Sequence, residues 1–218
     1  MITIFQHGKD ESAGEVTTCL EEYGISFDIV RLFETNETPT EIPASLIVLG
    51  GQMSVNETEE YSYFIREKEI IREMIARQRP VFGICLGAQM IASAFGERVF
   101  PSTPERGWCR VYGDHLGNTF PFPQICTVFH WHDETFNLPM QATLLLQGDR
   151  VKNQAFRLGS AVGVQFHPEV TLKIISRWSE KLRPRERNQL LRDSEHEIGG
   201  NKERCGILTE KFLNGWGR

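Results

Sequence analysis

The chain has 218 residues, 40% of them hydrophobic and 24% charged, with a formal net charge of −5. That is enough for one sizeable core, and without a concentrated Lys/Arg run it excludes a nucleic-acid groove as the main business of the protein. No apolar run approaches the ~20 residues that span a bilayer, and no signal pattern precedes the first expected strand, so the reading is cytoplasmic, with no membrane partner.

Residues 2–7 read as a buried first strand, and Gly8 ends it. Over residues 11–23, Val16, Leu20 and Tyr23 recur at helical spacing, with Gly24 placed for a left-handed cap. A second strand is expected over 26–32, then a polar loop to Pro43. Leu46-Ile47-Val48-Leu49 is a continuous apolar run of the kind that parallel sheets bury on both faces. Gly50-Gly51 follows, either to let backbone N–H groups approach a ligand or as a plain tight turn. Residues 59–78 read as a helix packing Tyr61, Phe64, Ile65, Ile71, Met74 and Ile75 on the core, broken by Pro80.

Val81-Phe82-Gly83-Ile84-Cys85-Leu86-Gly87-Ala88-Gln89 comes next. A short strand enters a Gly-x-Cys-x-Gly turn, and a helix follows to Gly96. This is the form of a nucleophile elbow. At a helix N-terminus a thiolate faces unpaired N–H groups and the positive end of the helix dipole, which favours ionisation; the alternative is a buried cysteine packing as a small hydrophobe. The alternation so far is that of a doubly wound α/β sheet, in which ligands collect at the carboxyl ends of strands.

Short β-rich pieces follow at 108–112, 125–131, 143–147, 154–157 and 161–166, some of them antiparallel and able to pack as a small side sheet. From about 171 to 218 the composition turns helical and charged, with a break at Pro184, a polar stretch to Gly199-Gly200 and a final amphipathic piece around 207–213. The expected organisation is one domain over 1–218, a catalytic α/β core over about 1–170 and a helical C-terminal extension. Arg183, Arg185 and Arg187 lie among Glu180 and Glu186 and read as a solvated helix face.

A cysteine nucleophile needs a base and a group that orients the base. His167 and Glu169 flank Pro168 at the end of an apolar strand, and their i, i+2 spacing puts both side chains on one side of an extended backbone. If that strand lies beside the Cys85 strand, the ends converge. The cysteines Cys19, Cys85, Cys109, Cys126 and Cys205 are scattered, without a Cys-x-x-Cys pair, and fit neither a disulfide framework nor a structural zinc site. His130 and His132 are two apart on an expected strand, but no third ligand is apparent, so no metal and no cofactor is expected.

Gly50-Gly51, Cys85-Leu86-Gly87-Ala88-Gln89 and His167-Pro168-Glu169, in that order, resemble the class I glutamine amidotransferases, the Cys-His-Glu glutaminases of flavodoxin-like fold. The stretches 50–54 and 163–169 are most similar to the glutaminase domain of GMP synthase and its free-standing relatives. The resemblance implies Cys85 as nucleophile, His167 as acid and base, Glu169 as its orienting carboxylate, and the backbone N–H groups of Gly51 and Leu86 as oxyanion donors. It further implies a substrate pocket of Gln89, Met53, Trp131, His132 and Asp133. The chain departs from the family at Gln52, where proline is frequent, and at Asp133, where glycine is frequent, which weakens the choice of free glutamine over another γ-glutamyl compound.

No phosphate-cradling loop is present for a synthase reaction within the chain. Two enzymatic readings therefore stand: a glutaminase that releases ammonia from L-glutamine for a separate synthase subunit, and a γ-glutamyl peptidase or related thiol hydrolase acting alone. A third reading is a catalytically inactive regulatory module on the same fold.

Overall fold

The computed structural model describes residues 1–113 and 122–216. Its elements run β1 (Ile2–Gln6), α1 (Glu15–Glu22), β2 (Phe27–Arg31), α2 (Leu32–Thr35), β3 (Leu46–Val48), α3 (Tyr63–Ala76), β4 (Val81–Ile84) and α4 (Leu86–Ala94). Then come β5 (Val99–Gly113), β6 (Ile125–Phe136), β7 (Thr143–Gly148), β8 (Asn153–Leu158), β9 (Ala161–Val164), α5 (Leu172–Trp178), a 3-10 turn (Ser179–Lys181) and α6 (Pro184–Leu213).

Among the described residues all nine strands join one sheet in the order β2-β1-β3-β4-β9-β8-β7-β5-β6. The first five in that order are parallel. The antiparallel strands expected as a small side sheet are there, and β8 pairs with β9 so that they continue the parallel sheet.

Period-2 alternation distributes the apolar residues between the two faces of the parallel strands. Ile4, Ile47, Leu49, Phe82, Ile84, Val162 and Val164 pack with Val16 and Leu20 of α1 and with Cys205, Leu208 and Phe212 of α6. Phe5, Leu46, Val48, Val81 and Ala161 pack with Phe64, Ile71 and Met74 of α3 and Met90 and Ile91 of α4. Helices on both faces bury the central strands completely, each large side chain contributing roughly 1.5–3 kcal/mol on removal from water. The fold is therefore α/β and doubly wound.

Three expectations change. Ile65, placed on the core stripe of α3, points outward and is 56% exposed, and Ile70 takes the inward position. The polar loop after β2 contains the short helix α2, closed by Asn36 in the left-handed region (φ 55). The C-terminal segment after the 3-10 turn is one 30-residue helix. Pro184 stands at its first turn, where the missing N–H costs nothing. Gly199 and Gly200 lie within it without ending it, because buried Asn201, Cys205, Leu208 and Phe212 hold the second half to the core. Among the described residues no helix is long and apolar enough to cross a membrane.

Candidate active site

The strands β3, β4 and β9 are neighbours in register, with Val48 opposite Gly83 and Ile84 opposite Val164. Their carboxyl ends therefore emerge side by side, carrying Gly50-Gly51, Cys85 and the segment 165–169. Cys85 turns the chain from β4 into α4 with φ 50 and ψ −104. A non-glycine residue at positive φ is strained, by on the order of 1–3 kcal/mol. The strain is held in place because the Cys85 N–H donates to Val164 O at 2.8 Å and its carbonyl accepts from Gln89 N at 3.1 Å. The helix packs so close to the sheet that a Cβ on Gly87 would lie 2.1 Å from Val48 O, and one on Gly83 would lie 2.5 Å from Gly87 O. Only hydrogen fits at either position.

His167 and Glu169 come together as their spacing implies. The His167 Nδ1–H donates to Glu169 Oε1 at 2.7 Å, with both side chains buried. The His167 N–H donates to Phe129 O at 2.7 Å, and the Trp178 ring meets the imidazole edge-on at 4.8 Å between centroids. Burial opposes a charge on His167, but the Glu169 carboxylate and the neighbouring Cys85 sulfur outweigh it and raise its pKa well above 6.5. Among the described residues Nε2 has no hydrogen-bond partner. A Cβ built on Gly50 would lie 3.1 Å from His167 Cε1 and 3.7 Å from Cys85 Cβ, so thiol, imidazole and glycine turn converge on one point.

Gly51 lies beside Leu86: a Cβ there would fall 2.6 Å from Leu86 Cδ2 and 2.5 Å from Met53 Sδ. Gln89 is buried, and its Nε2 contacts Glu134 O and Gln165 Oε1, each at 3.3 Å. The pocket residues expected from 131–133 divide by strand alternation. His132 is buried, and its Nδ1 lies 3.1 Å from Glu134 O. Trp131 stacks on Phe129 at 6.2 Å and meets Trp178, so it stands behind the imidazole. Asp133, expected in the pocket wall, forms an exposed ion pair with Arg106 at 2.8 Å.

Several contributors were not foreseen. Gln165, fully buried, donates from Nε2 to Cys85 Sγ at 3.5 Å. Its signal was the same two-residue step that relates His167 to Glu169. Gln52 donates to Glu11 Oε1 at 2.8 Å, tying the turn after β3 to the segment before α1. The expectation that His130 and His132 lack a third ligand is also corrected, since Glu105 of β5 closes on both. Burial drives the His130 pKa down to about 3 despite the Glu105 charge. Burial pushes Glu105 the other way, and its bonds to His132 and Gln154 with the two histidine charges outweigh it, leaving the pKa below the usual carboxylate value.

The family model of class I glutamine amidotransferases matches residues 12–177, which include the three strand ends just described. The chain belongs to the class I glutamine amidotransferase family. It is 32% identical over 181 residues to a glutamine amidotransferase-like protein of Salmonella typhimurium, YfeJ, a match covering 78% of this chain and 75% of that one. Over a shorter span of 96 residues it is 40% identical to one subunit of the glutamine-hydrolysing GMP synthase of Thermoplasma acidophilum, covering 42% of this chain and 48% of that subunit. A solved glutamine amidotransferase from Thermotoga maritima superposes with a TM-score of 0.87 at 32% identity, covering 97% of both chains. The class I amidotransferase fold thus extends through α6, beyond the stretch that the family model matches.

Proposed function

We propose that the chain is a glutaminase, hydrolysing the side-chain amide of L-glutamine at Cys85 and releasing ammonia for a separate synthase subunit. The observation that carries this reading is the His167–Glu169 pair, 2.7 Å apart and buried, set beside Cys85 at the joined ends of β4 and β9. The raised His167 pKa favours an imidazolium, which is the state that results when the Cys85 proton has passed to the ring.

In the first half-reaction the Cys85 thiolate attacks the amide carbon. The backbone N–H groups of Gly51 and Leu86 receive the oxyanion, each such donor being worth roughly 3 kcal/mol of barrier. His167 Nε2–H then protonates the departing nitrogen, the C–N bond breaks, and a γ-glutamyl thioester remains. In the second half-reaction neutral His167 takes a proton from water, the hydroxide adds to the thioester carbon, and the Cys85 thiolate leaves, giving glutamate. Glu169 accepts from Nδ1–H throughout, which keeps Nε2 as the working nitrogen. With Gln89 Nε2 occupied by Glu134 O and Gln165, Gln89 Oε1 and the Met53 backbone are assigned to the amino-acid end of the substrate.

Wild type should release ammonia from glutamine, alone or with a candidate synthase, and Cys85→Ala should not; absence of Cys85-dependent release in both settings overturns the proposal. The similarity to a GMP synthase subunit supports a separate ammonia-accepting partner. The Gln52–Glu11 bond, at a turn where the family often carries proline, favours a second reading: hydrolysis of a γ-glutamyl peptide by the same residues. Preference for glutathione or γ-glutamyl dipeptides over glutamine in the same assay would select it.

A further inference from the structure

Three buried donor atoms outside the thiol chemistry meet in a near-equilateral triangle. His132 Nε2 is 3.1 Å from Glu105 Oε2 and 3.3 Å from His130 Nδ1, and His130 Nδ1 is 3.5 Å from Glu105 Oε2. Strand register explains the meeting. Glu105 lies opposite His132, and His130 lies two residues from His132 along β6, so the three side chains share one face of the β5–β6 pair.

We propose that Glu105, His130 and His132 bind one divalent transition-metal ion of the zinc class. A zinc ion holds imidazole nitrogen and carboxylate oxygen at about 2.0–2.1 Å in tetrahedral array, which sets donors about 3.3 Å apart; the edges of the triangle bracket that length. The orientation of His132 points the same way. Glu134 O only accepts, so it takes the Nδ1–H, and Nε2 is the atom turned toward the carboxylate oxygen and the second imidazole nitrogen, where one dication would meet all three donors. Outer partners of the usual kind stand behind two of the three ligands, Glu134 O on His132 and Gln154 Nε2 donating to Glu105 Oε2 at 2.9 Å, while the outward Nε2 of His130 has none among the described residues.

The three side chains leave the fourth tetrahedral position to water or another donor. Glu134 O, which orients His132, also receives Gln89 Nε2, and Gln89 meets Gln165, which donates to Cys85 Sγ. The ion would therefore clamp β5 to β6 beside its register shift and fix the wall of the thiol cleft without touching the reacting atoms.

The test uses the full chain, stripped with a chelator and titrated with Co(II) and Zn(II), with bound metal counted by elemental analysis after dialysis. Because thiols also take these ions, the titration is repeated in Cys85→Ser. One equivalent should bind in wild type and in Cys85→Ser, and the Co(II) spectrum should show ligand-field bands without an intense near-ultraviolet thiolate band. Glu105→Gln and His132→Gln should each weaken binding by more than the ~10–100-fold that loss of an outer partner costs. Far-ultraviolet dichroism of the metal-free variants checks folding, and His130→Asn carries the comparison if either fails to fold. Retention of no metal, a thiolate spectrum, loss of binding in Cys85→Ser, or undiminished binding in the folded ligand variants overturns the site.

Discussion

Gln165 Nε2 donates to Cys85 Sγ at 3.5 Å while Gln165 Oε1 holds Gln89, so the candidate nucleophile is the end of a buried amide chain. A donor aimed at sulfur stabilises the thiolate over the thiol. Hydrogen bonds to charged groups contribute about 1.5–3 kcal/mol, so Gln165→Met, which keeps the volume and removes the donor, should slow iodoacetamide alkylation of Cys85 at neutral pH by at least about tenfold. An unchanged alkylation rate would remove Gln165 from this role.

Glu169→Gln should return the His167 pKa toward 6.5, since the carboxylate is the main influence raising it against burial. Proton NMR of the imidazole across pH reads this directly. The sign for stability follows from linkage. A histidine whose folded pKa is raised contributes stability that is fully present below the unfolded value, near 6.5, and is lost as pH rises through the folded value. Denaturant titrations of wild type against His167→Gln should therefore show their largest difference in mild acid and a shrinking one on the alkaline side; a difference that grows with pH contradicts the assignment.

Cys85 occupies a backbone conformation that suits glycine better than any side chain. Cys85→Gly should thus be more stable than Cys85→Ala by about 1 kcal/mol, with both inactive in ammonia release. Equal unfolding midpoints for the two variants would mean that the elbow stores no strain.

Glycines at two places in the fold should respond oppositely to one methyl group. Gly87→Ala drives a Cβ to 2.1 Å from Val48 O and should destabilise by 3 kcal/mol or so or prevent folding. Gly206→Ala, inside α6 with nothing within 4 Å, should stabilise by about 0.5–1 kcal/mol. Thermal unfolding of the two variants checks both signs.

Local signals made much of the fold and site legible. The apolar run at 46–49, the elbow around Cys85 and the two-residue step from His167 to Glu169 each express a short-range rule, and the structure joins them because β4 and β9 are neighbours. Most of the misses required information from afar, though Ile65 did not: it is as apolar as Ile70, but it stands two and a half helical turns from buried Met74 and so falls on the opposite face of α3. Pro184 and the glycines at 199–200 look like punctuation until Cys205, Leu208 and Phe212 find the core and carry the helix through. Glu105 meets His130 and His132 only through the register of β5 on β6, with a shift between Pro101 and Glu105 that no periodicity announces. Asp133 faces opposite to buried His132 by strand alternation alone and meets Arg106 in an exposed ion pair.

Asn201 Nδ2 donates to Pro168 O at 2.9 Å, and both groups are buried. Pro168 is the link between imidazole and carboxylate, so the segment that spaces this pair is anchored to α6 as well as, through the His167 N–H and Phe129 O, to the sheet. In order of synthesis the thiol emerges first, the imidazole much later and the anchor later still. A growing chain therefore displays its elbow before the base beside it is braced, and the brace is added only once α6 has been made.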